Sequence, residues 1–183
     1  MKYFDRRTLI KFGLTATAGI FFNITAKTWA KIYLTPELAK NIIWGDISMS
    51  PFPVTMTKSQ MKEIKKQSKV RVRSDKINAW KVDGGGWFIL DQVIGKHENI
   101  DIAVGIDATG GITGIEILEY RETYGYEVAN PKWRKQFTGK NASVRLRLGK
   151  EVQNISGATL SCRHITDGIN RLTQTWEQVL KNL

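Results

Sequence analysis

The sequence predicts an α+β domain in which helices at both ends flank a central antiparallel meander of strands. Apolar residues alternate with a period of two through the middle of the chain, which is typical of strands. The segments on either side show the spacing of three and four residues that is typical of helices. The predicted connections between the middle strands are only a few residues long, which antiparallel strands permit and parallel strands do not.

Two helices are predicted ahead of the strands. The first begins with Thr35 as its N-cap, has proline in its first position, and should cover about 36–44. The second begins at Thr57, where Gln60 completes a capping box, and should cover about 58–68.

Six strands are predicted from the alternating pattern. In chain order they are two short strands at 70–73 and 78–82, three successive strands at 87–94, 100–107 and 112–120, and an edge strand at 144–148. The glycine-rich segments 83–86 and 108–111 are predicted turns. No phosphate-binding loop is predicted at 84–86, because neither a Lys-Ser/Thr pair nor a helix start follows the three glycines.

The last predicted helix follows directly after Ser156-Gly157-Ala158-Thr159. Its apolar residues share one face and are Ile165, Ile169, Leu172, Trp176, Val179 and Leu180. Ser156 and Thr159 are both predicted to cap the helix start. The first N–H groups of a helix lack intrahelical partners and attract anions, phosphate above all. Gly157 and Ala158 allow close approach, and a threonine hydroxyl there can bond to a phosphate or be esterified by one.

Ser156-Gly157-Ala158-Thr159 resembles the flavinylation motif of the FMN-binding domain family, which includes subunits of the sodium-pumping NADH:quinone reductase and of the Rnf complex. The resemblance implies that FMN is attached to Thr159 through a phosphoester bond by a flavin transferase that uses FAD. Ser156, Gly157 and Ala158 would complete the motif. The family pattern has an aspartate three residues before the serine, where this chain has Gln153.

A second segment carries the same resemblance. Glu122-Thr123-Tyr124-Gly125 is similar to the family's Glu-Thr-x-Gly loop, and 133–140 to its Trp-x-x-x-Phe-x-Gly-Lys segment. In family members the loop lies close to the flavin, which makes these four residues candidate cofactor contacts.

Aromatic residues in and after this loop have two interpretations. Tyr124 and Tyr126 either offer faces for the isoalloxazine ring or are ordinary core or surface aromatics. The spacing of Trp133 and Phe137 predicts one buried face of a short helix. His164, on the last helix, is either a hydrogen-bonding partner of the flavin or its phosphate or a partly exposed helical histidine.

Residues 1–30 have the layout of an export signal, and residues 31–183 form the predicted FMN-binding domain. Basic residues including Arg6-Arg7 precede a mostly apolar run over 12–26, and small residues follow near a cleavage site at Ala30 or Ala26. This run is too short to span a membrane, which takes about 20 apolar residues. Its start resembles a twin-arginine signal; a general secretory signal and an uncleaved anchor are alternatives. We therefore expect a periplasmic, membrane-associated protein.

Composition narrows the function classes further. The net charge is +11, of which residues 1–30 contribute +4 and the remainder +7. Nucleic acid is not an expected partner, because an exported chain rarely meets it and no recognised binding motif is present. A single cysteine, Cys162, excludes an internal disulfide and is expected to be a small buried residue. Two distant histidines predict no metal site, and no nucleophile–base pattern predicts catalytic residues.

The sequence therefore predicts an exported flavoprotein that carries covalent FMN and transfers electrons to or from a membrane redox complex or flavocytochrome. It is more an electron carrier or redox subunit than a stand-alone enzyme. One alternative is an FMN-dependent reductase of a small acceptor. The other is a flavin-free binding or assembly module on the same scaffold, which Gln153 favours.

Overall fold

An antiparallel sheet is the centre of the fold in the computed structural model, which describes residues 31–183. The predicted export signal over 1–30 lies outside the described residues. The strands are β1 (Lys31–Ile32), β2 (Met49–Pro51), β3 (Val54–Thr55), β4 (Lys76–Val82), β5 (Trp87–Ile94), β6 (Asn99–Ile106) and β7 (Ile112–Tyr120). Their order in the sheet is β1-β7-β6-β5-β4-β2, and β3 also pairs with β4. The predicted meander corresponds to β5, β6 and β7.

Four α-helices accompany the sheet within residues 31–183. They are α1 (Pro36–Trp44), α2 (Lys58–Ser68), α3 (Pro131–Arg134) and α4 (Thr159–Gln178). Short 3-10 helices cover Tyr126–Ala129, Lys135–Phe137 and Leu180–Asn182. The α+β architecture predicted from the sequence, with a helix following the Ser-Gly-Ala-Thr motif, is confirmed.

The helix starts predicted at Thr35 and Thr57 are confirmed in their capping bonds. Thr35 Oγ1 accepts the backbone N–H of Leu38 at 3.3 Å. At the start of α2, Thr57 Oγ1 accepts the N–H of Gln60 at 3.2 Å, and the N–H of Thr57 donates to Gln60 Oε1 at 2.8 Å. Both helices therefore begin where their side chains satisfy otherwise unpaired backbone groups.

The prediction of a strand at 70–73 is wrong, because the sheet edge that it would use is occupied. β2 pairs with the second half of β4, and β3 pairs with its first residues. The N–H of Val70 instead donates to Ser68 Oγ at 3.1 Å, just after the end of α2. An alternating pattern describes which side chains are buried, but it does not supply a neighbouring strand.

The predicted edge strand at 144–148 is also wrong. The backbone of Leu146, at its centre, pairs with a side chain: Asn170 Oδ1 accepts its N–H and Asn170 Nδ2 donates to its carbonyl, both at 2.8 Å. Leu146 itself is buried, at 3% exposure. The alternation of this segment therefore reflects packing against α4 rather than pairing in the sheet.

The helices cover the two faces of the sheet. α2 and α4 lie on one face, where α4 crosses β5, and α1 lies on the other against β6 and β7. The larger core includes Ile64 of α2, Ile89, Val93, Ile102 and Val104 of the sheet, and Ile165, Ile169 and Leu172 of α4. The α1 face has a smaller core made of Ala39, Val82, Phe88, Ala103 and Leu118.

The segment after β7 adds two aromatic side chains to the larger core. Trp133 and Phe137 are buried at 7% and 0% exposure, and their rings meet edge to face with centroids 5.2 Å apart. The prediction that this pair forms one buried face is confirmed.

Candidate functional site

The Ser-Gly-Ala-Thr motif lies at the exposed start of α4. Ser156 and Gly157 are exposed, Thr159 is partly exposed, and Ala158 is buried at 2%. Gly157 has φ of 86°, in the left-handed region that glycine adopts without strain, and a Cβ built there would meet nothing within 4 Å. The turn at Gly157 thus directs the chain into α4 and leaves open space above the helix start.

The prediction that Ser156 or Thr159 caps α4 is wrong. The turn closed by the N–H of Ala158 and the carbonyl of Ile155, 3.0 Å apart, makes Ala158 the N-cap and Thr159 the first helical residue. No side chain makes a capping bond there. The first helical bond is from the N–H of Cys162 to the carbonyl of Ala158, at 2.9 Å.

This arrangement leaves donors unused at the start of α4. Within residues 31–183, no protein acceptor bonds the N–H groups of Thr159, Leu160 or Ser161. Three converging N–H groups at the positive end of a 20-residue helix form an arrangement that favours an anion such as phosphate.

The Thr159 hydroxyl is oriented by a neighbouring amide. Asn154 Nδ2 donates to Thr159 Oγ1 at 3.1 Å. Because the oxygen accepts this bond, the hydroxyl proton is still available for donation or for removal. No sequence signal marks Asn154, since its role depends on the turn over residues 155–158.

Thr159 borders a shallow groove of about 460 Å³ that is rich in arginine. Arg145, Arg147 and Arg163 line it, together with Asp167. Arg147 pairs with Glu151 at 2.8 Å, and this contact lowers the pKa of Glu151 to about 2. Among the described residues, no carboxylate forms an ion pair with Arg145 or Arg163, so the groove has cationic groups available for a phosphate.

Gln153, which stands where the family pattern has aspartate, is held through its backbone. Its N–H donates to Gln136 Oε1 and its carbonyl accepts Trp133 Nε1, both at 2.7 Å. The side chain is exposed. The local backbone is therefore set by Trp133 and Gln136 rather than by the side chain of residue 153.

The second predicted segment, residues 122–125, begins with a carboxylate that is already bound within the protein. Glu122 Oε1 accepts the N–H groups of His97 and Glu98, at 2.5 and 3.1 Å, in the turn between β5 and β6. Burial raises the pKa of Glu122, but the backbone N–H bonds lower it by more, so the net shift is downward. Glu122 thus fixes this loop to the sheet.

The same loop contacts the start of α4. The Tyr120 hydroxyl donates to the carbonyl of Tyr124 at 2.6 Å and lies 2.7 Å from Ser161 Oγ. Burial raises the pKa of Tyr120. Gly125 has φ of 92°, and a Cβ built there would lie 2.5 Å from Ser161 Oγ. The two predicted segments are therefore adjacent in the fold, and glycine is required where they meet.

The other predicted flavin contacts lie either on the exposed surface or in a neighbouring groove. Thr123, Tyr124 and Tyr126 are exposed, the tyrosines at 79% and 52%, so neither tyrosine is a core residue. His164 is partly buried and lines a neighbouring groove, where burial lowers its pKa. Asp167 borders both that groove and the one beside Thr159.

The structure bears on two further predictions. Cys162 is fully buried, as predicted, and burial raises the pKa of its thiol. In the described part of the chain, no three His, Cys, Asp or Glu side chains are grouped so that they could hold a metal ion.

Comparison with known proteins shows which family this part of the chain is similar to. Residues 95–174 match the FMN-binding domain family. The match covers both the Glu-Thr-Tyr-Gly loop and the Ser-Gly-Ala-Thr motif, and it confirms the resemblance predicted from those residues. The G subunit of the Na⁺-translocating ferredoxin:NAD⁺ oxidoreductase complex of Acetobacterium woodii is 35% identical over 96 residues, which are 48% of this chain and 46% of that protein. The chain thus spans about half the length of the curated relative that it matches.

A solved structure shares the fold. NqrC of Shewanella oneidensis superposes with a TM-score of 0.52 at 16% identity, over 72% of this chain and 82% of that one. Within residues 31–183 of the present chain, none of the helices has the length and apolarity to cross a membrane.

Proposed function

We propose that this chain is an exported flavoprotein that holds FMN in a phosphoester bond to Thr159 and exchanges electrons with a membrane redox partner. The observation that carries the proposal is the helix start itself. The Thr159 hydroxyl lies beside three N–H groups that have no protein acceptor among the described residues, within an arginine-lined groove. These are the groups that a phosphate ester at this position would use.

The residues present fit the phosphate end of FMN. Asn154 orients the Thr159 hydroxyl, so that its oxygen faces the groove with its proton available to a base of the flavin transferase. The N–H groups of the first turn and Arg163 would hold the phosphate, and the helix dipole adds to the attraction. When bound, FMN supplies one- or two-electron redox chemistry, while the protein sets its position.

The other predicted contacts are part of the proposal. Thr123 and Tyr124 are exposed on the loop that lies against the start of α4, so they can reach a ring tethered there. Glu122 and Gly125 would act by holding that loop in place, since both are committed to contacts within the protein. Direct contact of His164 with the flavin stays a prediction.

The partner and the location are proposed from the relatives and from residues 1–30. The Acetobacterium woodii protein is named as a subunit of a Na⁺-translocating ferredoxin:NAD⁺ oxidoreductase complex. We propose that this chain likewise works with a membrane redox complex or a flavocytochrome, and that its export signal places it in the periplasm. A cofactor bound covalently is retained there even though free FMN is scarce.

The attachment is tested by co-expressing the full chain with a flavin transferase and examining it on a denaturing gel under ultraviolet light. We expect a fluorescent band and an intact mass raised by one FMN less one water. Thr159→Ala should abolish both signals, because no hydroxyl is left to esterify. Thr138→Ala removes a hydroxyl from an exposed threonine outside the motif and should stay fully fluorescent.

Two other results of this experiment would contradict the proposal. Tethered flavin in Thr159→Ala would show that the acceptor is another residue. A dark band in the wild-type chain, together with no loosely bound flavin in the native protein, would favour a flavin-free module. Loss of α4 is not an alternative explanation, because the Thr159 side chain makes no capping bond and Thr159→Ala should cost less than about 1 kcal/mol of unfolding free energy.

A further inference from the structure

A second and larger groove lies on the α4 face of the sheet, beside the groove of Thr159. It has a volume of about 500 Å³, within the range of about 300–1,000 Å³ that is usual for sites of small organic ligands. Its walls are β4 and β5 on one side and α4 on the other, and residues 70–76 close one end. Thr159, to which FMN is proposed to be attached, does not line this groove, whereas His164, a predicted flavin contact, does.

The floor of this groove is apolar. Ile77, Ile89, Val93 and Leu172 line it, and each is buried, at 6%, 1%, 5% and 2% exposure. These side chains already pack in the main core, so the floor is held firmly from beneath. The body of a ligand on this floor would meet closely packed apolar side chains that offer it no hydrogen bonds, which favours an apolar body.

The rim is cationic. Arg71, Arg73 and Lys76 are exposed along it, and none of them forms an ion pair with another described residue. Of the other charged side chains in the lining, Arg171 is already paired with Asp91, and Asp167 belongs to the α4 wall. Four cationic side chains against two carboxylates give the lining a net charge of +2, and the cations without an ion pair lie between residues 71 and 76.

The α4 wall offers one unused hydrogen-bonding atom. His164 Nδ1 is buried from solvent and has no partner among the described residues. His164 lines the same groove as Arg71 and Arg73 of the cationic rim. A buried, unpartnered ring nitrogen is costly unless a ligand or a water completes it.

We propose that this groove binds a small amphipathic organic anion, with its apolar body on the floor of Ile77, Ile89 and Leu172 and its acidic head at Arg71 and Arg73. His164 would contact the ligand at the boundary between the two parts. The ligand site lies on the turns of α4 that follow Thr159, and Asp167 separates it from the flavin attachment site. This proposal does not depend on flavin attachment.

The test uses two fluorescent probes that share one aromatic body. Anilinonaphthalene sulfonate carries the acidic group, and phenylnaphthylamine lacks it. We expect the native chain to bind the sulfonate more tightly than the neutral probe, and added salt to weaken only the binding of the sulfonate. Arg71→Gln/Arg73→Gln should weaken sulfonate binding by about tenfold and leave the neutral probe unchanged. Lys62→Gln/Lys65→Gln, which removes the same charge from the exposed face of α2, should change it by less than about twofold.

The position of the bound probe can be determined from the histidine NMR signals, because the chain has only two histidines, His97 and His164. Bound sulfonate should shift the proton NMR resonance of the His164 ring and leave that of His97 in place. The proposal fails if both probes bind equally, if the two double variants weaken binding alike, or if His164 does not respond. It also fails as a separate site if the covalently flavinylated chain rejects the probe that Thr159→Ala protein binds, because the flavin would then occupy the groove.

Discussion

The two segments that carry the family resemblance use their polar groups in opposite ways. In the loop over 122–125, the carboxylate of Glu122 and the backbone of Tyr124 are bonded within the protein. In the motif over 156–159, the backbone donors of the first helical turn have no acceptor among residues 31–183. The loop therefore uses its polar groups to hold its shape, whereas the motif leaves backbone donors free for the ligand proposed above.

This contrast separates two kinds of substitution. A change in the loop should lower the free energy of unfolding first and flavin content second, because its groups stabilise the junction between the sheet and α4. A change at Thr159 should remove the flavin and leave the stability almost unchanged.

Gly125→Ala should give the largest loss of stability in the loop. Alanine is strained at a φ of 92°, and its Cβ would lie 2.5 Å from Ser161 Oγ. Together these effects should lower the free energy of unfolding by about 2–4 kcal/mol. Urea denaturation at constant m-value measures the loss.

Gly139→Ala is the matched control for Gly125→Ala. Gly139 has φ of 77°, but a Cβ there meets nothing within 4 Å. It should therefore lose only the strain, about 1 kcal/mol. Equal losses in the two variants would mean that the close approach of Gly125 to α4 contributes nothing, and the structural role assigned to the loop would be wrong.

Glu122→Gln should lower the free energy of unfolding by about 1 kcal/mol at neutral pH, because a carboxylate that accepts two backbone N–H groups is replaced by a weaker acceptor. The folded-state pKa of Glu122 is below its usual value of 4.5. Its contribution is then fully present above that value and is lost as the pH falls through the folded-state pKa. The difference between wild type and variant should be constant near neutrality and narrow in acid.

A control in the same turn sharpens the test of Glu122. Glu98→Gln removes a charge directly beside His97, but the Glu98 side chain holds no part of the turn in the described structure. It should change the free energy of unfolding by less than about 0.5 kcal/mol. A difference between Glu122→Gln and wild type that widens in acid would contradict the assigned direction of the pKa shift.

Local signals predicted the elements of this fold well. The capping box at Thr57 and the alternation through β5, β6 and β7 depend on neighbours in the chain, and both are confirmed. The two strand predictions were wrong because contacts between residues distant in the sequence decided the structure there. The edge of β4 was occupied by β2 and β3, and the backbone of Leu146 was bonded by a side chain 24 residues away.

In the candidate site, too, features with a local sequence signal were predicted and long-range contacts were not. Thr159 and its motif were predicted because four consecutive residues carry the signal. The contacts of Asn154 with Thr159 and of Tyr120 with Ser161 depend on how the turn and the loop pack against each other. No spacing of residues in the sequence predicts them. The predicted caps at Ser156 and Thr159 were wrong because one tight turn made Ala158 the N-cap and Thr159 the first helical residue. The error changes the chemistry, since an uncapped start leaves more donors for a phosphate.

Gln153→Asp should have the smallest effect on the protein itself. Trp133 and Gln136 bond the backbone of residue 153 and its side chain is exposed, so the free energy of unfolding should change by less than about 0.5 kcal/mol. The exposed side chain is accessible to a partner protein, and the flavin transferase is the partner that acts here in the proposed function. We expect the initial rate of flavin incorporation to rise about threefold or more, equivalent to about 0.7 kcal/mol of barrier, with the same final yield.

Asn182→Asp makes the same amide-to-carboxylate change at an exposed residue far along the chain and should leave the rate unchanged. Equal rates for Gln153→Asp and wild type would show that the transferase reads the backbone turn and the threonine, and not the residue in which this chain departs from the family pattern.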